Sequence, residues 1–237
     1  MSAMEIIAEP ALILHLLARI GTVLAQPVTL VHPSHFEMLG GPRIREIAAR
    51  AEFTPWLNDA VAKSLGMRSF ELPEGLADRL ARHPQSRAAA LVAGAQPQEI
   101  ALAARLVAAA IQRRRLSALV TRAERSAAVA QLGSGAFQLA VREAFALYPG
   151  LAELAPEETV PLEMEAEGID DVPPLTVPGY ACLGAFLSQV EPGLRPLLTY
   201  RVPQDLTLPE TVLAPGPHGQ LLALLRRKIP GWHECIG

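Results

Sequence analysis

His32 and His35 stand three residues apart around Pro33, a spacing at which two imidazoles can converge on one metal ion. No Cys, Asp or further His lies close enough in the sequence to complete a short-range site. Pro33 also works against a regular helix that would carry both rings. The expected reading is a capped turn whose histidines hydrogen-bond. The C-terminal GWHECIG groups Trp232, His233, Glu234 and Cys235. Zinc there needs a further ligand from elsewhere, such as His218, so a frayed or packed tail is expected instead. Gly133, Ser134 and Gly135 form a short GSG, and the phosphate-binding patterns GxGxxG and GxxxxGK[ST] are absent. So are the G-x-S-x-G elbow and the H-E-x-x-H zinc motif. A nucleophile, its base and an orienting acid can lie far apart in sequence. No set of residues stands out for that work, and no catalytic residue, cofactor or metal ligand is assigned.

Charge offers more. Arg113, Arg114 and Arg115, with Arg105, Arg122 and Arg125, form the largest basic concentration in the chain. On an ideal helix they point in several directions, and Arg113 falls within an apolar stripe. A phosphate backbone calls for a one-sided basic footprint. These arginines fit a wedged helix better, with aliphatic stems packed and heads reaching solvent or carboxylates. The counterpart is acidic. No Lys or Arg occurs from Glu143 through Leu194, a stretch rich in Glu, Asp and Pro. Within it, residues 151–178 read as an acidic, Pro-rich connector. The candidate partner-binding residues are Arg113, Arg114, Arg115 and Arg122 on the basic side, and Glu157, Glu158, Glu163, Glu165, Asp170 and Asp171 on the acidic side. Phe53, Trp56 and Phe70 are large residues in a chain with only 5% aromatics, and core anchoring is expected for them. An exposed one would be a hot-spot candidate.

These residues must be carried by helices. Half of the 237 residues are hydrophobic, enough for a sizeable core, and much of that half is Ala and Leu. A net charge of −3 argues against nucleic acid as the partner. Two cysteines are too few for a disulfide scaffold and suit a reducing compartment. Glu5 and Glu9 sit where an export signal carries positive charge, so the start reads as a first helix. No window reaches the roughly 18 apolar residues that span a bilayer.

Pro and Gly punctuate the rest. Helices are expected over 11–24, 44–50, from Thr54–Pro55 to a left-handed stop at Gly66, from Pro73 to before Pro84, and over 85–94. Pro97 opens the longest apolar pattern, with Leu102, Leu106, Ala109, Leu116 and Val120 on one face and Thr121 as a cap if the helix breaks. Ala136 to Tyr148 follows, with Phe137, Val141, Ala144 and Tyr148 aligned. Helices are also expected over 179–190 and 218–229. Leu197 to Val202 alternates well enough to read as a strand. The expected fold is mainly α, an irregular multi-helix single domain with a small extended element near the C-terminal part. Its parts are a helical domain (1–150), the connector (151–178), and a C-terminal helix-strand-helix portion (179–237) packed on the helical domain.

Taken in order, these segments resemble the K-type accessory proteins of bacterial type III secretion systems, the SctK or YscK family. Three regions carry the likeness. One is the turn Leu30-x-His32-Pro33-Ser34, with the later helix of Leu57, Asn58 and Leu65–Gly66. Another is the central AIQRRRLSALVTRAERSAAVAQLG and the helix ending near Tyr148. The third is GYACLGAFLSQVEPGLRPLLTYRVP, with Gly184 to Phe186, Glu191, Pro192 and Leu197 to Pro203. The acidic insert is longer than the family pattern, and its Trp content is thinner. The resemblance implies a cytoplasmic adaptor, without chemistry or cofactor, in the sorting platform beneath the secretion apparatus. It would link the cytoplasmic domain of the inner-membrane ring to the pod (Q-type) protein, with the ATPase stator as a further partner. It would meet neither nucleic acid nor the membrane interior, and would be peripheral to the inner membrane only through its partners. The alternatives are a small-molecule enzyme with a dispersed site and a helical secretion chaperone or regulator.

Overall fold

The computed structural model describes residues 9–39, 43–48, 50, 52–155, 172–206, 208 and 213–236. Two compact units divide the chain, and neither is continuous in sequence. The first takes Met1–Pro97, Val190–Gln204 and Glu234–Gly237; the second takes Gln98–Gln189 and Asp205–His233.

The first unit is built round the helix Pro84–Gly94, in which every residue from Ser86 to Gly94 is buried. Helices Pro10–Ala25, Leu76–Arg82 and Arg195–Thr199 pack against it. Its small side chains allow this. A methyl at Gly94 would come within 2.8 Å of the Arg19 Cβ, so Pro10–Ala25 crosses almost in backbone contact. Helix Thr54–Ser64 contributes Leu57, Val61 and Ala62 to the core. It ends as Gly66 turns left-handed at φ 68°, the stop its sequence signals. Asn58 accepts the Val28 N–H at 3.1 Å, which ties this helix to the preceding short one, Pro27–Leu30.

The expected strand at Leu197–Val202 is overturned: among the described residues there is no β-strand. The helix Arg195–Thr199 stands there instead, with Pro196 in its first turn. Leu197, Leu198, Arg201 and Val202 are the buried residues. That pattern is i, i+1, i+4, i+5, which is one face of a helical path and not alternation. A proline in a helix's first turn loses no hydrogen bond, so Pro196 starts the helix and breaks nothing.

In the second unit, Pro97–Ile111 is buried along Ile100, Ala103, Ala104 and the run Leu106–Ile111. Helix Val177–Val190 is buried from Gly179 through Leu187 except at Ala181. They meet where Gly179 lies against the Ala104 backbone. The long apolar pattern is not continuous. It divides into Pro97–Ile111, Arg113–Ser117 and Arg122–Leu132. Thr121 starts the last of these with a capping box. Its hydroxyl accepts the Glu124 N–H at 3.2 Å, while the Glu124 carboxylate accepts the Thr121 N–H at 2.9 Å. Val120, placed on the apolar face by the unbroken reading, is 82% exposed because it precedes this new start.

Ser134–Gln138 runs through a π turn, Leu139–Glu143, into Ala144–Leu147. Ala136, Ala140, Ala144 and Tyr148 are all buried, at steps of four. Each such step oversteps a turn of 3.6 residues, so three of them would swing the stripe about 120° round a regular α-helix. The wider π turn absorbs the extra residue and keeps the stripe inward. Val141, expected in that stripe, is turned outward together with Phe145.

His218, in the helix Pro215–Lys228, stacks obliquely on Phe186 at 5.4 Å. Its Nδ1 is buried without a hydrogen bond, and burial pulls its pKa below the ordinary 6.5. The unfolded chain therefore binds a proton there before the folded one does. Stability is expected to fall as pH drops below about 6.5 and to level off beneath the lowered pKa. His218→Phe should flatten that slope in urea midpoints measured across the same range.

Candidate functional site

The sequence-marked chemistry is structural in its geometry. His32 Nδ1 lies 2.9 Å from the Ser34 hydroxyl, and that hydroxyl accepts the Gln204 N–H at 2.9 Å. His35 Nε2 is 2.9 Å from the Val202 carbonyl. Both histidines hydrogen-bond, as expected of the turn; His32 does so locally, whereas His35 reaches a carbonyl 167 positions away in the sequence. Among the described residues, no three of His, Cys, Asp and Glu come together as a metal ion would require. Neither Cys182 nor Cys235 is in a disulfide. Burial pushes the Cys182 thiol up to about 12 and raises that of Cys235 as well, so neither is a thiolate near neutral pH. Trp232, Cys235 and Ile236 are buried, and the tail is therefore packed.

Three cationic side chains are absorbed by the first unit's architecture. Arg201 donates to the carbonyls of Val92, Ala93 and Ala95 at the end of helix Pro84–Gly94, and to Leu197 at 2.8 Å. It is a cation closing a helix C-terminus from another segment. Arg87 donates from Nε to the Cys235 carbonyl at 2.8 Å and from Nη1 to that of Leu80 at 3.2 Å. Arg79 grips Glu191 through two bonds of 2.9 Å, and Glu191 is 1% exposed. The Glu–Pro mark at 191–192 thus anchors the fold. An open depression of about 290 Å³ lies beside it, lined by Pro192, Arg195, Pro196, Thr199 and Tyr200. It holds no carboxylate, His or Cys to act as acid, base or nucleophile.

Surface apolar groups are more telling. Trp56 is 68% exposed, Phe53 41% and Ile47 45%, on the helices Arg43–Ala48 and Thr54–Ser64 and the turn between them. For Phe53 and Trp56 this corrects the expectation of core anchoring. The stripe that goes inward is Leu57–Val61, and Trp56 lies one residue, or about 100°, away from Leu57. That stripe is readable in the sequence and places Trp56 outside. An exposed indole beside a phenyl group is the composition of an interaction hot spot.

The basic concentration is dispersed. Arg113 is 95% buried, Arg115 is partly buried and donates to the Gln112 carboxamide at 3.3 Å, and Arg114 and Arg122 are exposed. Glu157, Glu158, Glu163, Glu165, Asp170 and Asp171 lie outside the described residues. No protein-family model matches the chain, and searches of curated proteins and of solved structures return no match. No helix among the described residues is long and apolar enough to cross a membrane.

Proposed function

We propose that this protein is a non-enzymatic adaptor of a bacterial type III secretion sorting platform, linking the cytoplasmic domain of the inner-membrane ring to the pod (Q-type) protein. The family enters through the sequence resemblance at Leu30–Ser34, in the central Arg-rich segment and at Gly179–Pro203. The observation that carries the adaptor role is Trp56, with Phe53 and Ile47, held out to solvent in an aromatic-poor chain. Contact with water gives such a surface no stabilisation, whereas a partner that buries it gains the transfer free energy of an indole and a phenyl ring. The protein then works at the cytoplasmic face of the inner membrane, held there by its partners.

The test is co-purification of the full chain with the pod protein and, separately, with the ring's cytoplasmic domain. Trp56→Ala is expected to weaken one of these complexes by about 2 kcal/mol, roughly 30-fold in Kd. Because Trp56 is exposed, the variant's far-UV circular dichroism and melting should match the unmodified chain. Failure of the unmodified protein to bind either component would refute the reading.

A further inference from the structure

Arg113 differs from every other buried arginine with a described role. It is 5% exposed, and its guanidinium lies 4.7 Å from the centre of the Phe145 ring. Its Nε and Nη1 are buried and make no hydrogen bond among the described residues. The other two buried arginines, Arg87 and Arg201, donate to carbonyls; among the described residues the Nε and Nη1 of Arg113 have only the face of a ring beside them. Buried N–H donors nearly always find an acceptor, and a cationic one left without any is more costly than a neutral one. Glu143, two residues from Phe145 in sequence, is already ion-paired with Lys228 at 2.6 Å.

The cover over Arg113 is unusual too. Phe145 is 77% exposed and Val141 45%, both turned outward by the π turn. Arg142 precedes Phe145 by three residues on the same helix, and Arg114 follows Arg113; both are exposed. The surface therefore combines apolar groups, flanking positive charge, and a buried cation two of whose nitrogens lack an acceptor among the described residues. A phenyl ring so exposed is free to turn about its two side-chain torsions and uncover what lies beneath.

We propose that this surface receives an acidic segment of a partner protein that carries an apolar side chain. A carboxylate of that segment accepts from Arg113, and its apolar group rests on Phe145 and Val141. Arg114 and Arg142 supply the long-range attraction, so association is faster at low salt. The proposal rests on the adaptor reading only in taking a protein segment as ligand. It concerns residues other than Trp56 and needs no secretion component for its test.

The test uses the full chain and a fluorescein-labelled peptide, Glu-Asp-Leu-Phe-Glu-Asp, against its amide twin Gln-Asn-Leu-Phe-Gln-Asn, read by anisotropy. The acidic peptide is expected to bind about tenfold or more tightly than its twin. Arg142→Gln, at an exposed position, should weaken it several-fold without altering the melting temperature. Phe145→Ala, which also removes the ring over Arg113, should weaken it several-fold at a temperature where the variant is still fully folded. The Arg113 Nε–H resonance should shift on titration, a readout that mere attraction to surface charge would not move. Equal binding of the twins, or an unmoved Arg113 resonance, would overturn the proposal. Equal competition by a single-stranded oligonucleotide would overturn it in favour of a phosphate ligand. Binding seen only when the acidic residues of 156–171 are changed to amides would overturn it in favour of the chain's own acidic stretch.

Discussion

Arg201→Met is expected to destabilise the protein by about 4 kcal/mol. The guanidinium holds four carbonyls, three of them at the end of the helix Pro84–Gly94. The last carbonyls of a helix have no partner within it. Here the helix is buried on all sides, so water cannot replace the donor. Methionine keeps much of the volume and removes every bond, which leaves buried acceptors at about 1 kcal/mol or more apiece. Some of this is returned because a cation no longer has to be desolvated. Arg201→Lys keeps the charge but not the fork, and a single ammonium cannot span these carbonyls. It should recover less than half of the loss. Urea denaturation followed by circular dichroism measures both. A loss below about 1 kcal/mol for Arg201→Met would mean that the carbonyls find other donors.

Gly179→Ala is the second large effect, and its cause is steric. A methyl at this position would lie 2.7 Å from the Ala104 carbonyl carbon, 3.0 Å from its Cα, and closest to its oxygen. The obstacle is backbone inside a buried helix, so no side chain can swing away. The helix Val177–Val190 would have to lift off its neighbour, at about 3 kcal/mol. Alanine's better helix propensity offsets at most about 1 kcal/mol, for a net loss of about 2 kcal/mol. Gly219→Ala is the control. It sits in the helix Pro215–Lys228 with nothing within 4 Å of where the added methyl would stand, and should be neutral or stabilising. If both substitutions behave alike, the close crossing at Ala104 is wrong.

Most helix boundaries are legible because the signals that set them are local. Pro97 and Gly66 act through their own φ angles, and the Thr121–Glu124 capping box joins groups three residues apart. The strand expected at Leu197–Val202 fails because six residues of mixed apolar character satisfy either period. Pro196, in the first turn, is the deciding local signal. The alignment of Val141 with Ala144 and Tyr148 fails for another reason. It assumes 3.6 residues per turn, and the π turn adds one residue that no pattern announces. The interaction surfaces divide in the same way. Exposure of Trp56 follows from the Leu57–Val61 stripe of its own helix. The isolation of Arg113 depends on Phe145, thirty-two positions away in the sequence.

Composition and local stereochemistry thus account for a helical chain, its breaks and its left-handed glycine stops, since each depends on neighbours within a turn. Three things depend on residues far apart in the sequence. Arg201 closes a helix that ends over a hundred residues earlier, Arg79 finds Glu191 at a separation of 112, and each compact unit is assembled from separate stretches. Whether an arginine becomes a cap, an ion pair or an unmatched donor is settled by what another segment brings within about 3 Å of it. Hydrophobic patterning says which face turns inward, but not which carbonyl or carboxylate will be waiting there.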